Sequence, residues 1–166
     1  MARQLWVLRH AEAEPHGTRA DSERRLTPRG EQQARAAGIA IARLEPGFES
    51  ILFSPKTRAR RTAELAAESW EKDQRARLTE HAPLASGFDA SDALDALSAI
   101  DADGRLLIVG HEPDLSRTIS ELTGARIDLK KGGLAVVRLE GVGGELAVLM
   151  RPRELAPIAG VPRSGE

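Results

Sequence analysis

The chain has 166 residues, a net charge of −1 at neutral pH, no cysteine and no tyrosine. The length predicts a single domain, and without a thiol the protein cannot be a cysteine-dependent phosphatase or protease, a disulfide scaffold or a cysteine-ligated zinc protein. A near-neutral charge and an aromatic content of 3% argue against nucleic-acid binding. No apolar run is long enough to span a bilayer and no signal-peptide pattern opens the chain, so we expect a cytoplasmic protein without membrane contact.

Short apolar runs alternate with helical patterns along the first two thirds of the chain. In order, the patterns predict strand 5–8, a helix from the cap Thr27-Pro28 to Pro46-Gly47, strand 51–53, helix 59–70, strand 77–79, helix 89–100 with Leu94 inward, strand 106–109, a helix from Pro113 to a cap at Gly124, and a hairpin of strands 134–139 and 146–150. This alternation predicts an α/β three-layer sandwich with a mostly parallel central sheet flanked by helices. Residues 1–155 form the predicted domain, and 156–166, rich in proline and glycine, are expected to be a frayed tail.

Two of the four histidines follow directly after predicted buried strands. His10 comes beside Arg9 at the end of the first strand, and His111 follows the strongest strand signal in the chain. The second strand ends at Ser54, four residues before Arg58 at the start of a helix. Because ligands of such sheets bind outside the carboxyl ends of the strands, we expect these residues to share one pocket. Either histidine alone could be an ordinary loop residue, but two strand-end histidines with adjacent arginines favour a functional site.

Imidazole beside guanidinium groups suits phosphoryl transfer. One imidazole attacks phosphorus, while a second, partly charged imidazole and two arginines stabilise the transferring oxygens without a metal or another cofactor. A poor leaving group would also need a general acid. For Ser54 the simpler interpretation is a helix N-cap before Pro55, and the functional one is a group that borders a phosphate-like anion; the two are compatible, since helix N-termini favour anions.

Four segments resemble the histidine phosphatase superfamily, and they occur along the chain in the same order as in that family. The segment Leu8-Arg9-His10-Ala11-Glu12 matches its Arg-His-Gly signature with alanine in the glycine position. Residues 54–64 (SPKTRARRTAE) and 109–115 (VGHEPDL) match its second and third motifs. Residues 21–30 (DSERRLTPRG) are similar to the short branch that contains the SixA-type protein phosphohistidine phosphatases. The resemblance extends from residue 5 to about residue 124 and implies a phosphoglycerate mutase-like fold.

The resemblance also implies a role for each matched residue. His10 would be the nucleophile that becomes a phosphohistidine, Arg9 and Arg58 would clamp the phosphoryl oxygens, and His111 would complete the pocket. Mutase-like members take a general acid from a glutamate between the second and third motifs. Glu80 lies in about that region without the surrounding pattern, and Asp21 of the short-branch segment is the alternative, with solvent as the third source of the proton.

The function that the sequence favours is a metal-independent phosphatase acting on phosphohistidine in a signalling protein, such as a histidine phosphotransfer domain. A phosphoramidate has a labile P–N bond and a leaving group that solvent can protonate, and the short chain has little room for a lid over a metabolite. Two alternatives stay open: a phosphatase of small phosphate monoesters, and a weakly catalytic domain that binds phosphoproteins. The matched nucleophile argues against the second, because a pure binder has no need of it.

Overall fold

Six strands form one sheet with helices on both faces in a computed structural model that describes residues 2–44, 47–141 and 143–162. The strands are β1 (Arg3–Arg9), β2 (Ser50–Phe53), β3 (Leu78–Glu80), β4 (Arg105–Gly110), β5 (Leu134–Glu140) and β6 (Gly143–Met150). The helices are α1 (Pro28–Leu44), α2 (Thr57–Ala67), α3 (Lys72–Arg75), α4 (Ala90–Ser98), α5 (Asp114–Thr123) and α6 (Pro152–Ala159). Short 3-10 turns cover Asp21–Glu23 and Ala82–Ala85. No helix within these ranges has both the length and the hydropathy to cross a membrane.

The strand order is β3-β2-β4-β1-β5-β6. The first four strands are parallel, whereas β5 runs antiparallel to β1 and pairs with β6 in the predicted hairpin. The prediction of a mostly parallel sheet is therefore confirmed, with an antiparallel pair at one edge. Since the four parallel strands point the same way, their carboxyl ends lie along one edge of the sheet, where the crevice was expected.

The sheet is covered on both faces, which confirms the three-layer sandwich. Trp6 and Leu8 of β1 pack in a core with α1, α2 and α6, while Leu5 and Val7 pack in a second core with α4 and α5. Successive side chains of a strand point to opposite faces, so a strand buried on both faces has an uninterrupted apolar sequence. This is why the apolar runs of the central strands predict their positions well.

Two predicted helices differ in detail from the observed ones. The second helix ends at Ala67, and Trp70 lies in the following turn, where its indole N–H donates to the Gly38 carbonyl at 2.8 Å. In α4 the buried positions are Ala93 and Leu97, one turn apart, so Leu94 is on the solvent side and 51% exposed rather than inward. The described part of α1 extends to Leu44, and residues 45 and 46, which include the proline of the predicted Pro46-Gly47 break, lie outside the described residues.

The predicted tail is wrong for its first residues. The helix α6 continues through Ala159 and packs against α1, with Leu155, Ala156 and Ala159 buried. Its two prolines are the reason that the sequence pattern did not predict this helix. Pro152 occupies the first helical turn, where the backbone N–H that proline lacks would have no partner within the helix. Residues 163–166 of the predicted tail lie outside the described residues.

Candidate active site

The two strand-end histidines lie next to each other. Arg9 of β1 is in register with Gly110 of β4, so the residues that follow them leave the sheet at the same level. The backbone N–H of His10 donates to the Gly110 carbonyl at 3.0 Å, and the ring centroids of His10 and His111 are 5.2 Å apart. Both rings are buried. The structure thus brings together the pair that the sequence placed at strand ends.

The hydrogen bond of the His10 ring determines which of its nitrogens is free. Its Nδ1 lies 2.8 Å from the carbonyl oxygen of Ala11. Because a carbonyl only accepts, Nδ1 carries the proton and Nε2 keeps its lone pair. Alanine serves this purpose as well as the glycine of the family signature, since only the backbone oxygen is used.

Burial and neighbouring cations keep the His10 ring neutral. Burial is the largest cause that lowers the pKa of His10, and the charges of His111, Arg58 and Arg9 lower it further, whereas the Ala11 carbonyl raises it. The resulting pKa is about 3, compared with 6.5 for an unperturbed histidine. At neutral pH the ring is therefore neutral, with its proton on Nδ1 and a lone pair on Nε2 that is available for attack.

Arg58 lies on the first turn of α2 and is held by Asp21. One guanidinium nitrogen donates to the Asp21 carbonyl at 2.7 Å, and the other lies 3.4 Å from its carboxylate. Lys56 and Arg24 approach the same carboxylate at 3.2 and 3.1 Å. The short-branch segment thus packs onto the second motif and orients the arginine.

These contacts make Asp21 a poor general acid. Burial alone would raise the pKa of its carboxyl group, but the hydrogen bond from Lys56, the charge of Arg58 and the bond from Arg24 together lower it well below its usual range. A carboxylate that stays ionised at neutral pH has no proton to give to a leaving group. The lowered pKa argues against the alternative that gave Asp21 the acid role, and its contacts indicate that this residue orients Arg58.

Arg9 is the second guanidinium whose charge acts on His10. One of its guanidinium nitrogens donates to the Leu129 carbonyl at 2.9 Å. Burial lowers the pKa of Arg9, while Glu112 and Asp128 raise it, and a guanidinium remains charged under such conditions. Arg9 therefore contributes a fixed positive charge beside His10.

Ser54 is not the N-cap of the helix that follows it. The helix begins at Thr57 with Lys56 in the cap position, so the capping interpretation is wrong. The Ser54 hydroxyl is fully buried, accepts the Lys56 N–H at 3.2 Å and lies 2.7 Å from Nε2 of His111. Ser54 therefore contacts the second histidine directly.

The ring of His111 is also neutral at neutral pH. Burial is the main cause that lowers its pKa, followed by the charges of Arg58 and Lys56, and only Asp21 opposes them noticeably. The pKa is about 3, which argues against the partly charged imidazole expected from the sequence. Its Nδ1 is buried without a hydrogen-bond partner among the described residues.

One supporting residue was missed by the sequence interpretation. Thr62 is fully buried on the alanine-rich face of α2, one turn after Arg58. Its hydroxyl accepts the Ala11 N–H at 3.1 Å and donates to the Arg58 carbonyl at 2.7 Å, which links the first motif to the second. A threonine among the alanines of this face, one turn after Arg58, was the available signal.

Glu80 does not take part in these contacts. It ends β3, two strands away from β4, and its side chain is exposed with no hydrogen bond or ion pair to a described residue. No contact with a described residue orients this carboxyl group toward His10 or His111. Within the described ranges, no group of three or more histidine, cysteine or acidic residues is arranged so that it could hold a metal ion.

The short-branch segment also supports the first motif through Gly30. Thr27 donates its N–H to the Glu12 carbonyl at 3.0 Å and caps α1 by accepting the Gly30 N–H at 3.0 Å, as predicted. A Cβ at Gly30 would lie 2.0 Å from the Glu12 carbonyl oxygen. Only glycine permits this close approach of α1 to the backbone two residues after His10.

The variant Gly30→Ala is expected to lose about 2 kcal/mol or more of unfolding free energy, because backbone must move to relieve the overlap. It should also lower kcat/KM, since the displaced backbone carries His10. The matched control is Gly38→Ala, whose Cβ would lie 1.9 Å from the carbonyl oxygen of Ala66, about two turns further along α2 than Arg58. Urea unfolding should show both losses, and only Gly30→Ala should show reduced turnover of the folded protein; equal turnover in the two variants would contradict the assignment.

The lowered pKa values of His10 and His111 predict an unusual pH dependence. Between about pH 3 and pH 6.5 both histidines are protonated in the unfolded chain, where their pKa is near 6.5, but neutral in the folded protein, where it is about 3. Stability should therefore fall as pH drops from 7 toward 4, while the acid limb of kcat/KM that reports His10 should lie well below pH 6. Urea unfolding at several pH values and a pH–rate profile test this. His111→Gln should weaken the loss of stability, and His16→Ala, at an exposed position, should not; an acid limb near 6.5 would contradict the prediction.

Together these groups present buried donors of the kind that bind a tetrahedral anion. Arg9 Nε, Arg58 Nε and His111 Nδ1 are buried and have no hydrogen-bond partner among the described residues. Unpaired buried donors are costly, and a bound anion would satisfy them. They surround a neutral imidazole with a free lone pair, which is an arrangement suited to attack on a phosphoryl group.

Comparison with known proteins gives the family. Residues 5–83 match the model of the histidine phosphatase superfamily (branch 1). An uncharacterised protein of Picosynechococcus sp. is 31% identical over 171 residues, which cover 93% of this chain and 99% of the relative. The chain belongs to the histidine phosphatase superfamily.

Solved structures place it near the SixA-like short branch of that superfamily. A candidate SixA phosphohistidine phosphatase from Nakamurella multipartitia is 27% identical with a TM-score of 0.76, over 92% of this chain and 97% of the other. The protein histidine phosphatase SixA complexed with tungstate has a TM-score of 0.81 at 22% identity, over 92% and 99% of the two chains. An α-ribazole phosphatase from Shigella flexneri shares the fold at 19% identity, with a TM-score of 0.71 over 90% and 96%.

Proposed function

We propose that this histidine phosphatase hydrolyses phosphohistidine in a cytoplasmic signalling protein, such as a histidine phosphotransfer domain. The observation that carries the proposal is the neutral His10 ring, whose Nδ1 is bonded to the Ala11 carbonyl so that Nε2 is free beside Arg9, Arg58 and His111. The finding that the SixA-type fold accepts tungstate, a tetrahedral oxyanion, in a related structure supports the same chemistry.

The reaction takes place in two displacements. In the first, the lone pair on His10 Nε2 forms a bond to phosphorus while the P–N bond of the substrate breaks, and the departing imidazole takes its proton from solvent. In the second, water attacks the phosphorus of phospho-His10, the P–Nε2 bond breaks, and phosphate leaves with the water oxygen while His10 regains its lone pair. Arg9 and Arg58 hold the phosphoryl oxygens in line through both steps.

A phosphoramidate substrate is favoured because neither candidate general acid, Asp21 or Glu80, is suited to protonate a leaving group. Asp21 is held ionised by Lys56 and Arg58, and Glu80 is exposed without contacts that aim it at the histidines. An alkoxide leaving group would need a positioned acid, whereas an imidazole leaving group is protonated readily by water. A phosphohistidine substrate therefore fits this site better than a phosphate monoester does.

A comparison of substrates tests the proposal. A histidine phosphotransfer domain carrying phosphohistidine and a panel of phosphate monoesters that includes α-ribazole phosphate and phosphoserine are each incubated with the enzyme. We expect a kcat/KM for the phosphohistidine domain at least about a hundredfold higher than for any monoester, the order of effect that general acid catalysis supplies. Efficient turnover of a monoester with the phosphohistidine domain left intact would reverse the assignment. Tight binding of the domain without release of phosphate would favour the phosphoprotein-binding alternative.

A further inference from the structure

The contact between Ser54 and His111 has a consequence for the proton of the second histidine. The two residues are 57 positions apart in the chain, and both follow the carboxyl ends of adjacent parallel strands, β2 and β4. The Ser54 N–H donates to the Val109 carbonyl at 3.0 Å, which ties the serine backbone to the strand that carries His111. The hydroxyl and the ring therefore meet in a rigid part of the sheet edge.

The hydrogen-bonding capacity of the Ser54 hydroxyl leaves one satisfactory arrangement. A hydroxyl has one donor and two acceptor positions. One acceptor position is used by the Lys56 N–H, and the oxygen is fully buried. Apart from Nε2 of His111, no acceptor for the hydroxyl proton is found among the described residues. If Nε2 carried a proton, the hydroxyl would have no acceptor, and a buried unpaired donor is costly.

We propose that Ser54 is a positioning residue that donates to Nε2 of His111 and so keeps the ring proton on Nδ1, the nitrogen that then donates to a phosphoryl oxygen. The inference rests on the proposed function only for the identity of the anion. Nδ1 is the ring nitrogen without a hydrogen-bond partner among the described residues, as expected for a donor that binds a ligand. The assignment gives Ser54 an indirect role and removes the expectation that it touches the substrate itself.

The tautomer matters because His111 is neutral. A doubly protonated imidazolium would present a donor on either nitrogen, and the serine would then make no difference. With its pKa near 3 the ring has a single proton at neutral pH, and the opposite tautomer would turn a lone pair toward an anion. The two histidines thus both carry their proton on Nδ1, for opposite uses: His10 to free Nε2 for attack, and His111 to donate.

Nitrogen NMR tests the tautomer without any need for turnover. Wild type and Ser54→Ala, labelled with 15N-histidine, are compared at pH 7 by long-range proton–nitrogen correlation, with His111 assigned from its absence in His111→Gln. We expect the Nδ1–H tautomer of His111 in wild type and a shift toward Nε2–H in Ser54→Ala. An Nε2–H ring in wild type, or an unchanged Nδ1–H ring in Ser54→Ala, would overturn the proposal.

Kinetics with the phosphohistidine domain provide the second readout. Ser54→Ala should lower kcat/KM about tenfold to a hundredfold, the worth of one hydrogen bond to a charged group. The matched control is Thr118→Val, which removes another fully buried hydroxyl, on α5, and should stay within about twofold of wild type. Unchanged kcat/KM in Ser54→Ala overturns the role. If wild type hydrolyses no phosphate compound, the proposed function fails, and the NMR result still decides the Ser54 assignment.

Discussion

Replacing His10 by alanine is expected to abolish phosphoenzyme formation and to lower kcat/KM at least about a thousandfold, because the variant loses the atom that bonds to phosphorus. The buried site leaves no substitute nucleophile at that position. His111 lies with its ring centroid 5.2 Å away, but its Nε2 is bonded to Ser54, and in the proposed tautomer its Nδ1 carries the proton. Neither nitrogen is then free to attack.

The measurement is a trapping experiment with a labelled phosphodonor under alkaline denaturing conditions, because phosphohistidine is lost in acid. Label should appear on wild type and be absent from His10→Ala. The matched control is His16→Ala, since the side chain of His16 is 85% exposed and its replacement should leave labelling unchanged. Wild type without label but with full turnover would disprove the covalent mechanism, as would normal labelling of His10→Ala.

Replacing Arg58 by alanine is expected to lower kcat/KM by about a thousandfold, the order of effect seen when an arginine that stabilises a transferring phosphoryl group is removed. Arg58 is buried, and its charge lies close enough to lower the pKa of both histidines. Arg58→Lys should recover only part of the loss, because lysine keeps the charge but not the planar pair of donors that matches two phosphoryl oxygens.

The neighbouring Arg61 provides the control for Arg58. It lies on the same helix, its side chain is 46% exposed, and its ion pair with Glu64 is long at 3.8 Å. Exposed pairs of this kind contribute little, so Arg61→Ala should keep both stability and kcat/KM. Steady-state kinetics on the phosphohistidine domain with all three variants test this, and a loss of less than tenfold in Arg58→Ala would remove Arg58 from the proposed transition-state contacts.

Asp21 holds the Arg58 guanidinium in place. Its carboxylate contacts Lys56, Arg24 and Arg58 on the exposed side of the site, so part of the positive charge beside the pocket is already balanced. Such a network fixes the direction of the Arg58 guanidinium before a substrate arrives. A preoriented donor requires no reorganisation when the phosphoryl group is transferred.

Much of this site could be predicted from local sequence. The apolar runs before His10 and His111 identify buried strands, and the rule for parallel sheets then places both residues at one edge. The register of Arg9 with Gly110 agrees with that expectation. Thr27 and Gly124 were recognised as helix ends because capping depends on residues within a turn of each other.

The errors arose where local patterns carry no information about distant partners. A proline-containing segment was interpreted as a tail, and yet its apolar stripe is buried by packing against α1, more than a hundred residues earlier in the chain. Leu94 was assigned to the core by its spacing alone, although only one side of α4 faces the sheet. Whether an apolar stripe is covered depends on the element that lies opposite.

The candidate catalytic residues can thus be predicted from the sequence, because each histidine directly follows a strand that its own apolar run identifies. Their protonation states cannot be. The ionised carboxylate of Asp21 depends on Arg58, 37 positions away, and the proton of His111 depends on Ser54, 57 positions away. Charge and hydrogen-bond interactions act over a few ångströms of space, and folding alone determines which distant side chains come within that distance.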